Sequence, residues 1–477
     1  MNDAPLAALA PRSESAFGAL LGRRAAVVAV PESARAPIIA GLADVSEKRP
    51  IVVVVPTGTA AERLAQDLSQ FCAIDEVELF PAWETLPFER VSPSIETMGR
   101  RMRVLWRLRS GHRSPKLVVT SARAVSQRLG PHVEDTEPIV VRPNDQLDSN
   151  DLATSLVRMG YRREDLAEHR GEFAVRGSIV DVFGATDDAP VRIDLWGDEV
   201  DRLTQYSVTD QRSVVDLDET VIFPARELLP TDEVRARAES LMATEPWGRE
   251  HWDRLSDGLT FDGMESWLPW LTESTHTLLD VVGDRAQLIL VEPRRMRDRA
   301  AEVLAEEHDL ARSLASTWGA GDREFPSLHV SFESLLGQSE LPAWSMVNAP
   351  ESPDTPAVAA TPWLRVIGDG EALVRRMRSL LSDGFRLVVA ADGEGSATRL
   401  QSLLRERELD IPRRQSAAEL KGPGAALIVA PLNAGFALMD SKIAVVCEAD
   451  LTGRIRASWL SSDNSRGRAV SFSKRTR

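Results

Sequence analysis

The chain has 477 residues, 43% hydrophobic and 27% charged, the balance of a folded soluble protein with room for three or four domains. A formal net charge of −15 argues against a surface that follows phosphate along its whole length, because nonspecific nucleic-acid binding needs Lys and Arg to displace counterions. Two distant cysteines, Cys72 and Cys447, cannot build a disulfide framework or a cysteine zinc site and read as buried reduced thiols.

Met1 to Arg12 lacks the basic start and long apolar core of a secretory signal. The longest apolar runs fall far short of the roughly 20 residues of a membrane span. A cytoplasmic protein with no membrane partner is expected. The runs Ala25 to Val30, Ile51 to Val55, Val77 to Phe80 and Leu117 to Thr120 are separated by helix-like segments, the rhythm of a parallel sheet with crossover helices. Thr59 to Phe71 carries Ala60, Leu64, Leu68 and Phe71 on one helical face, with Thr59 as the expected cap.

The loop after the first strand is where a phosphate cradle would sit. A working P-loop needs Gly for close backbone approach, Lys for the β and γ phosphates, and Ser or Thr for Mg²⁺. Pro31 to Pro37 offers no Gly and no Lys and puts Glu32 where phosphate would lie, so no ATP binding is expected there. Pro56-Thr57-Gly58-Thr59 also lacks the Lys and reads as a turn with a helix cap. Further on, Gly99 to Arg109 spreads Arg100, Arg101, Arg103, Arg107 and Arg109 around a helix whose apolar side is Met102, Leu105, Trp106 and Leu108, which predicts a solvated amphipathic helix.

The fold expected is a multidomain α/β protein: a degenerate helicase-like parallel-sheet domain, interrupted by a β-rich insert, then a second small α/β domain. Residues 13–145 form the first part and 146–222 the insert. Within the insert, GEFAVRGSIVDVFG and PVRIDLWGDEVDRLTQYSV show strand alternation. Uneven alternation in the first predicts a bulge near Gly177, with Arg176 and Phe183 exposed. Residues 223–336, with a helical pair and the strand Leu288 to Val291, return to the first domain. Residues 337–362, rich in Pro, Ser and Ala, read as a linker, and 363–453 as the second α/β domain. The tail 454–477 holds seven Lys or Arg and one Asp and is expected to be disordered.

No constellation for catalysis emerges. His251-Trp252-Asp253 and Glu306-Glu307-His308 lack zinc-helix spacing, Asp187-Asp188 and Asp198-Glu199 fall in expected turns, and no Ser sits in a Gly-x-Ser-x-Gly elbow.

Phe80-Pro81-Ala82-Trp83-Glu84-Thr85-Leu86-Pro87-Phe88-Glu89, Gly171 to Phe183, Pro190 to Glu199, Asp210 to Ser213 and Glu448 to Gly453 together resemble, in that order, the N-terminal region of bacterial transcription-repair coupling factors. That region is similar to the excinuclease protein UvrB, and its β-rich insert docks on another excinuclease protein, UvrA. The resemblance therefore implies a docking role, with Arg163, Arg176 and Phe183 on the docking surface and Arg162 and Arg170 beside them. Adjacent positions leave the choice between Arg162 and Arg163 open. Arginine forks and an aromatic suit an interface anchor, whereas the competing reading is a core Phe183 with surface ion pairs of little consequence.

The resemblance also implies no cofactor in this chain. ATP and Mg belong to the motor domains of the family, and RNA polymerase and duplex DNA are engaged through domains this chain stops short of. The alternative is an ATP-dependent, UvrB-like damage-recognition protein. UvrB carries a long damage-probing β-hairpin, where only Glu84 to Met98 is available here.

Overall fold

The computed structural model describes residues 4–86, 88–110, 114–272, 275–317, 323–363 and 370–452; the basic tail 454–477 lies outside them. The apolar runs become a six-stranded, wholly parallel sheet in the order Ala25–Ala29, Ala343–Val347, Gln287–Val291, Ile51–Val55, Leu117–Ser121, Val77–Phe80. Ile51–Val55 and Leu117–Ser121 are buried along their whole length, as strands with both faces covered must be. Thr57 caps the helix Gly58–Leu68 by accepting from the Ala60 amide at 3.3 Å, two residues before the cap expected from the sequence.

Ala343–Val347 corrects the linker reading of 337–362. This strand lies inside the first sheet, paired on one side with Ala25–Ala29 and on the other with Gln287–Val291. Its sequence, Ala-Trp-Ser-Met-Val, is short and flanked by turn-forming residues, so composition alone hides it. The chain around it is no free tether either, because Val358 is buried and its amide bonds the Ala29 carbonyl at 2.9 Å.

A second sheet, of five strands, orders as Ala360–Pro362, Phe436–Leu438, Ile443–Cys447, Arg386–Ala391, Gly424–Val429. It shares a continuous apolar core with the first. Phe71 and Phe436 approach to 6.2 Å between ring centroids, and Asp67 accepts from the Asn433 amide at 2.9 Å. Residues 4–20 fill the seam: Leu6, Leu9, Phe17 and Leu20 are buried, the Leu6 amide bonds Gln70 and the Ala417 amide bonds Pro5. This stretch has no helical or strand period, only short 3₁₀ turns, so its pattern gives no sign of a core role.

Beyond the insert, the helices Asp232–Thr244 and Arg249–Ser256 gather an aromatic cluster with Phe88, Trp267, Trp270 and Phe325. Trp247 stacks on Phe325 at 5.2 Å and 14°. Phe88, 1% exposed, anchors the stretch between Glu84 and Met98 in this cluster, and Glu84 closes the stretch on itself by accepting from the Ser94 hydroxyl at 2.7 Å.

The helix Ile95–Ser110 departs from the solvated helix expected. Arg101 is fully buried against Glu227, Arg103 and Arg107 both reach Glu78 at 2.8 and 2.6 Å, Arg109 pairs with Asp135 at 2.9 Å, and Arg100 pairs with Glu96 at 2.6 Å. Their partners other than Glu96 lie elsewhere in the sequence, which is why spacing within the helix could not reveal them. Cys72 and Cys447 are free and buried, and burial pushes the Cys72 thiol up to about 12.

Candidate protein-docking face

The β-rich insert is held to the body by a two-stranded antiparallel ribbon, Ile139–Val141 with Thr220–Ile222, so it begins seven residues ahead of the expected 146. Its sheet orders as Ser213–Asp216, Glu199–Tyr206, Val191–Trp196, Ile179–Val182, Glu172–Arg176, Arg162–Arg163. The pairing is antiparallel except at the last step, where Arg162–Arg163 runs parallel to its neighbour. Alternation then sorts the side chains. Phe173, Val180, Val182, Val191, Ile193 and Leu195 face inward against the helix Ser149–Arg158, whose cap Asp148 accepts from Asn150 and Asp151. The intervening positions face outward.

Gly177 is no bulge. Arg176 and Ile179 pair directly, leaving Gly177 and Ser178 as a two-residue hairpin turn, and Gly177 has φ +62°, which a glycine adopts without steric cost. The tight turn is what brings Arg176 and Asp181 onto one outer face. Asp181 is 1% exposed and accepts from Arg176 and, with both oxygens, from Arg192 at 2.8 and 3.0 Å. A buried carboxylate held between two guanidinium partners fixes both forks. The carboxylate's charge also raises the Arg192 pKa through their hydrogen bond. Arg176 is 41% exposed, leaving part of its fork open to solvent.

Phe183, expected to be exposed, is buried at 8%. Pairing continues past the strand, with the Phe183 amide bonding Glu172 at 2.9 Å and the Gly171 amide bonding Phe183 at 2.8 Å. That register sets Arg170 over the ring at 5.6 Å, while Arg170 itself donates to the Asp187 carbonyl at 2.9 Å and pairs with Asp188 at 3.1 Å. Arg170 therefore lies over the aromatic. Burial, aided by neighbouring Asp188, raises the Asp187 carboxyl to about 6.

Register also separates the two adjacent arginines. Arg162 pairs with Glu172 and so shares the face of Arg176, whereas Arg163 pairs with Phe173 and points the other way at the sheet's edge. Arg162 reaches Glu172 at 3.3 Å; Arg163 is exposed and forms no ion pair among the described residues. Sequence reasoning missed Arg192 and Asp181, although the alternation of PVRIDLW puts Arg192 on the outer side.

At the position of a phosphate cradle, after Ala25–Ala29, a 3₁₀ turn leads into the helix Arg35–Val45. Arg35 donates there to Glu292 at 2.5 Å, and the Glu32 amide bonds the Asn348 side chain at 3.1 Å. A carboxylate thus already satisfies the cation at this helix start. Among the described residues no group of three or more His, Cys, Asp or Glu is placed to hold a metal ion, and no helix is long and apolar enough to cross a membrane.

The β-rich insert on this parallel-sheet body is the part that matches a known module: residues 139–228 match the UvrB interaction domain, and 383–451 match the MFD D3 domain. The chain is 32% identical over 496 residues to the transcription-repair-coupling factor of Mycobacterium bovis, covering 95% of this chain and 39% of that protein. Those of Myxococcus xanthus (34% identical; 62% of this chain, 26% of the relative) and Escherichia coli (27% identical; 86% and 37%) are similar too. The chain matches the N-terminal region of a transcription-repair coupling factor, as its sequence words implied, and it spans about two fifths of the length of the first of these relatives.

Proposed function

We propose that this chain recruits the excinuclease protein UvrA for transcription-coupled repair, through the outer face of its β insert and without nucleotide chemistry of its own. The observation that carries the reading is the Arg176 fork, 41% exposed and aimed by buried Asp181, which the largely buried Arg192 also clasps, on a module that matches the UvrB interaction domain. Forks of fixed geometry suit carboxylates on a partner and lose little freedom on binding. The face of the sheet favours Arg162 as their neighbour; Arg163 serves only if the partner wraps the edge. Phe183 acts from beneath Arg170.

The experiment is calorimetric titration of the purified chain with purified UvrA. Arg176→Ala is the better variant than Arg176→Glu, since a new carboxylate beside buried Asp181 would unfold the site, whereas Arg192 still holds Asp181 when Arg176 is cut back. The expected result is loss of binding at an unchanged melting temperature. Undiminished binding by an Arg162→Ala/Arg176→Ala double variant would refute the reading. A fluorescent ATP analogue separates it from a UvrB-like ATPase, because the docking reading expects no saturable binding.

A further inference from the structure

We infer that Trp196 is a second anchor of the docking face, entering an apolar recess on UvrA; the inference rests on the recruitment reading above. Trp196 ends the strand Val191–Trp196 and is 83% exposed, while Trp252 and Trp267, of the same residue type, are wholly buried. A large aromatic left in water gains substantially when a partner covers it.

Its position is continuous with the arginine forks. Arg176 pairs with Ile179 and Ile179 with Asp194, and Trp196 follows Asp194 by two residues, so all four share the outer face. Two strand spacings across and one side-chain repeat along put Trp196 about 12 Å from Arg176. A contact patch of about 800 Å² per partner takes in both. The recess that receives Trp196 must therefore adjoin the acidic groups that receive Arg176.

Trp196 is also carried on a braced hairpin end. It pairs with Glu199 across the turn Gly197-Asp198, and the tip is stitched to the preceding loop: Leu147 amide to Asp198 at 2.7 Å, Asn144 amide to Val200 at 2.7 Å, Val200 amide to Asp145 at 2.9 Å. A tip braced in this way spends little backbone entropy on binding.

The test measures dissociation of purified UvrA from the whole chain and from Trp196→Ala, Trp196→Phe and Arg176→Ala. Trp196→Ala is expected to weaken binding at least about tenfold, mainly by faster release, with partial recovery in Trp196→Phe and no change in melting temperature. Parental affinity in Trp196→Ala, with binding lost in Arg176→Ala, overturns the anchor and leaves recruitment standing. No binding by the parent chain overturns both. Sedimentation of the chain alone supplies the last outcome: self-association that Trp196→Ala abolishes assigns the ring to a second copy and overturns the inference.

Discussion

Arg101 and Glu227, 126 residues apart in sequence, meet in a two-pronged ion pair at 2.6 and 2.9 Å with side chains 0% and 1% exposed. Glu227 also accepts from the Trp83 indole at 2.9 Å, and the Arg101 guanidinium lies 4.1 Å over the Phe80 ring. One carboxylate thereby ties the Phe80-Pro81-Ala82-Trp83 segment and the helix Ile95–Ser110 to the chain just after the insert.

Removing one member of such a pair leaves a buried charge without a partner. Arg101→Met should destabilise the chain by about 3–5 kcal/mol in urea unfolding, and Arg101→Met/Glu227→Gln should recover a large part of the loss, because Gln keeps an acceptor for Trp83. Equal stability of the single and double variants would refute the assignment.

Asp181 should matter to docking although it is buried. In Asp181→Ala both arginines remain but lose the group that aims them, so affinity for UvrA is expected to fall at least about tenfold. Binding kinetics of the folded variant check this, with circular dichroism confirming that the insert's sheet persists.

His276 and Glu134, 3.0 Å apart, give stability a defined pH window. The hydrogen bond to Glu134 raises the His276 pKa above its ordinary 6.5, and the same bond holds Glu134 below its ordinary 4.5. The histidine's contribution is complete below pH 6.5 and is lost as pH rises through its raised value. That of Glu134 is complete above pH 4.5 and is lost as pH falls through its depressed value. The deficit of His276→Gln against the parent should therefore be greatest between pH 4.5 and 6.5 and shrink toward pH 9, as thermal melts across that range will show.

The seam filled by residues 4–20 depends on a close approach. A Cβ on Gly41, in the helix Arg35–Val45, would collide with the Pro11 carbonyl. Gly41→Ala is expected to cost roughly 2 kcal/mol and to open the N-terminal segment to limited proteolysis. Unchanged cleavage would place the adjustment elsewhere.

The strands of the six-stranded and five-stranded sheets could be read from sequence wherever an unbroken apolar run, such as Ile51–Val55 or Ile443–Cys447, marks a strand buried on both faces. Ala343–Val347 escaped because Ser345 interrupts its run, and residues 4–20 because 3₁₀ turns carry no usable period. In the candidate face, Arg176 is exposed as expected, though through a two-residue hairpin turn and not the bulge that uneven alternation predicted. The burial of Phe183 was not expected, since it follows from pairing that extends one residue past the strand and brings Arg170 across the ring. Charge networks such as Arg103 and Arg107 on Glu78 join residues more than twenty positions apart and leave no local signature.

The ribbon of Ile139–Val141 and Thr220–Ile222 has a consequence for how the insert is carried. Ile139 faces Ile222, so the chain leaves the body and returns to it on neighbouring strands, about 5 Å apart. A segment whose ends lie that close can be replaced by another of different length without moving the scaffold on either side. The insert is therefore a cassette in its connections: two chain crossings that meet in space carry the whole module, and the parallel sheet continues on either side of them.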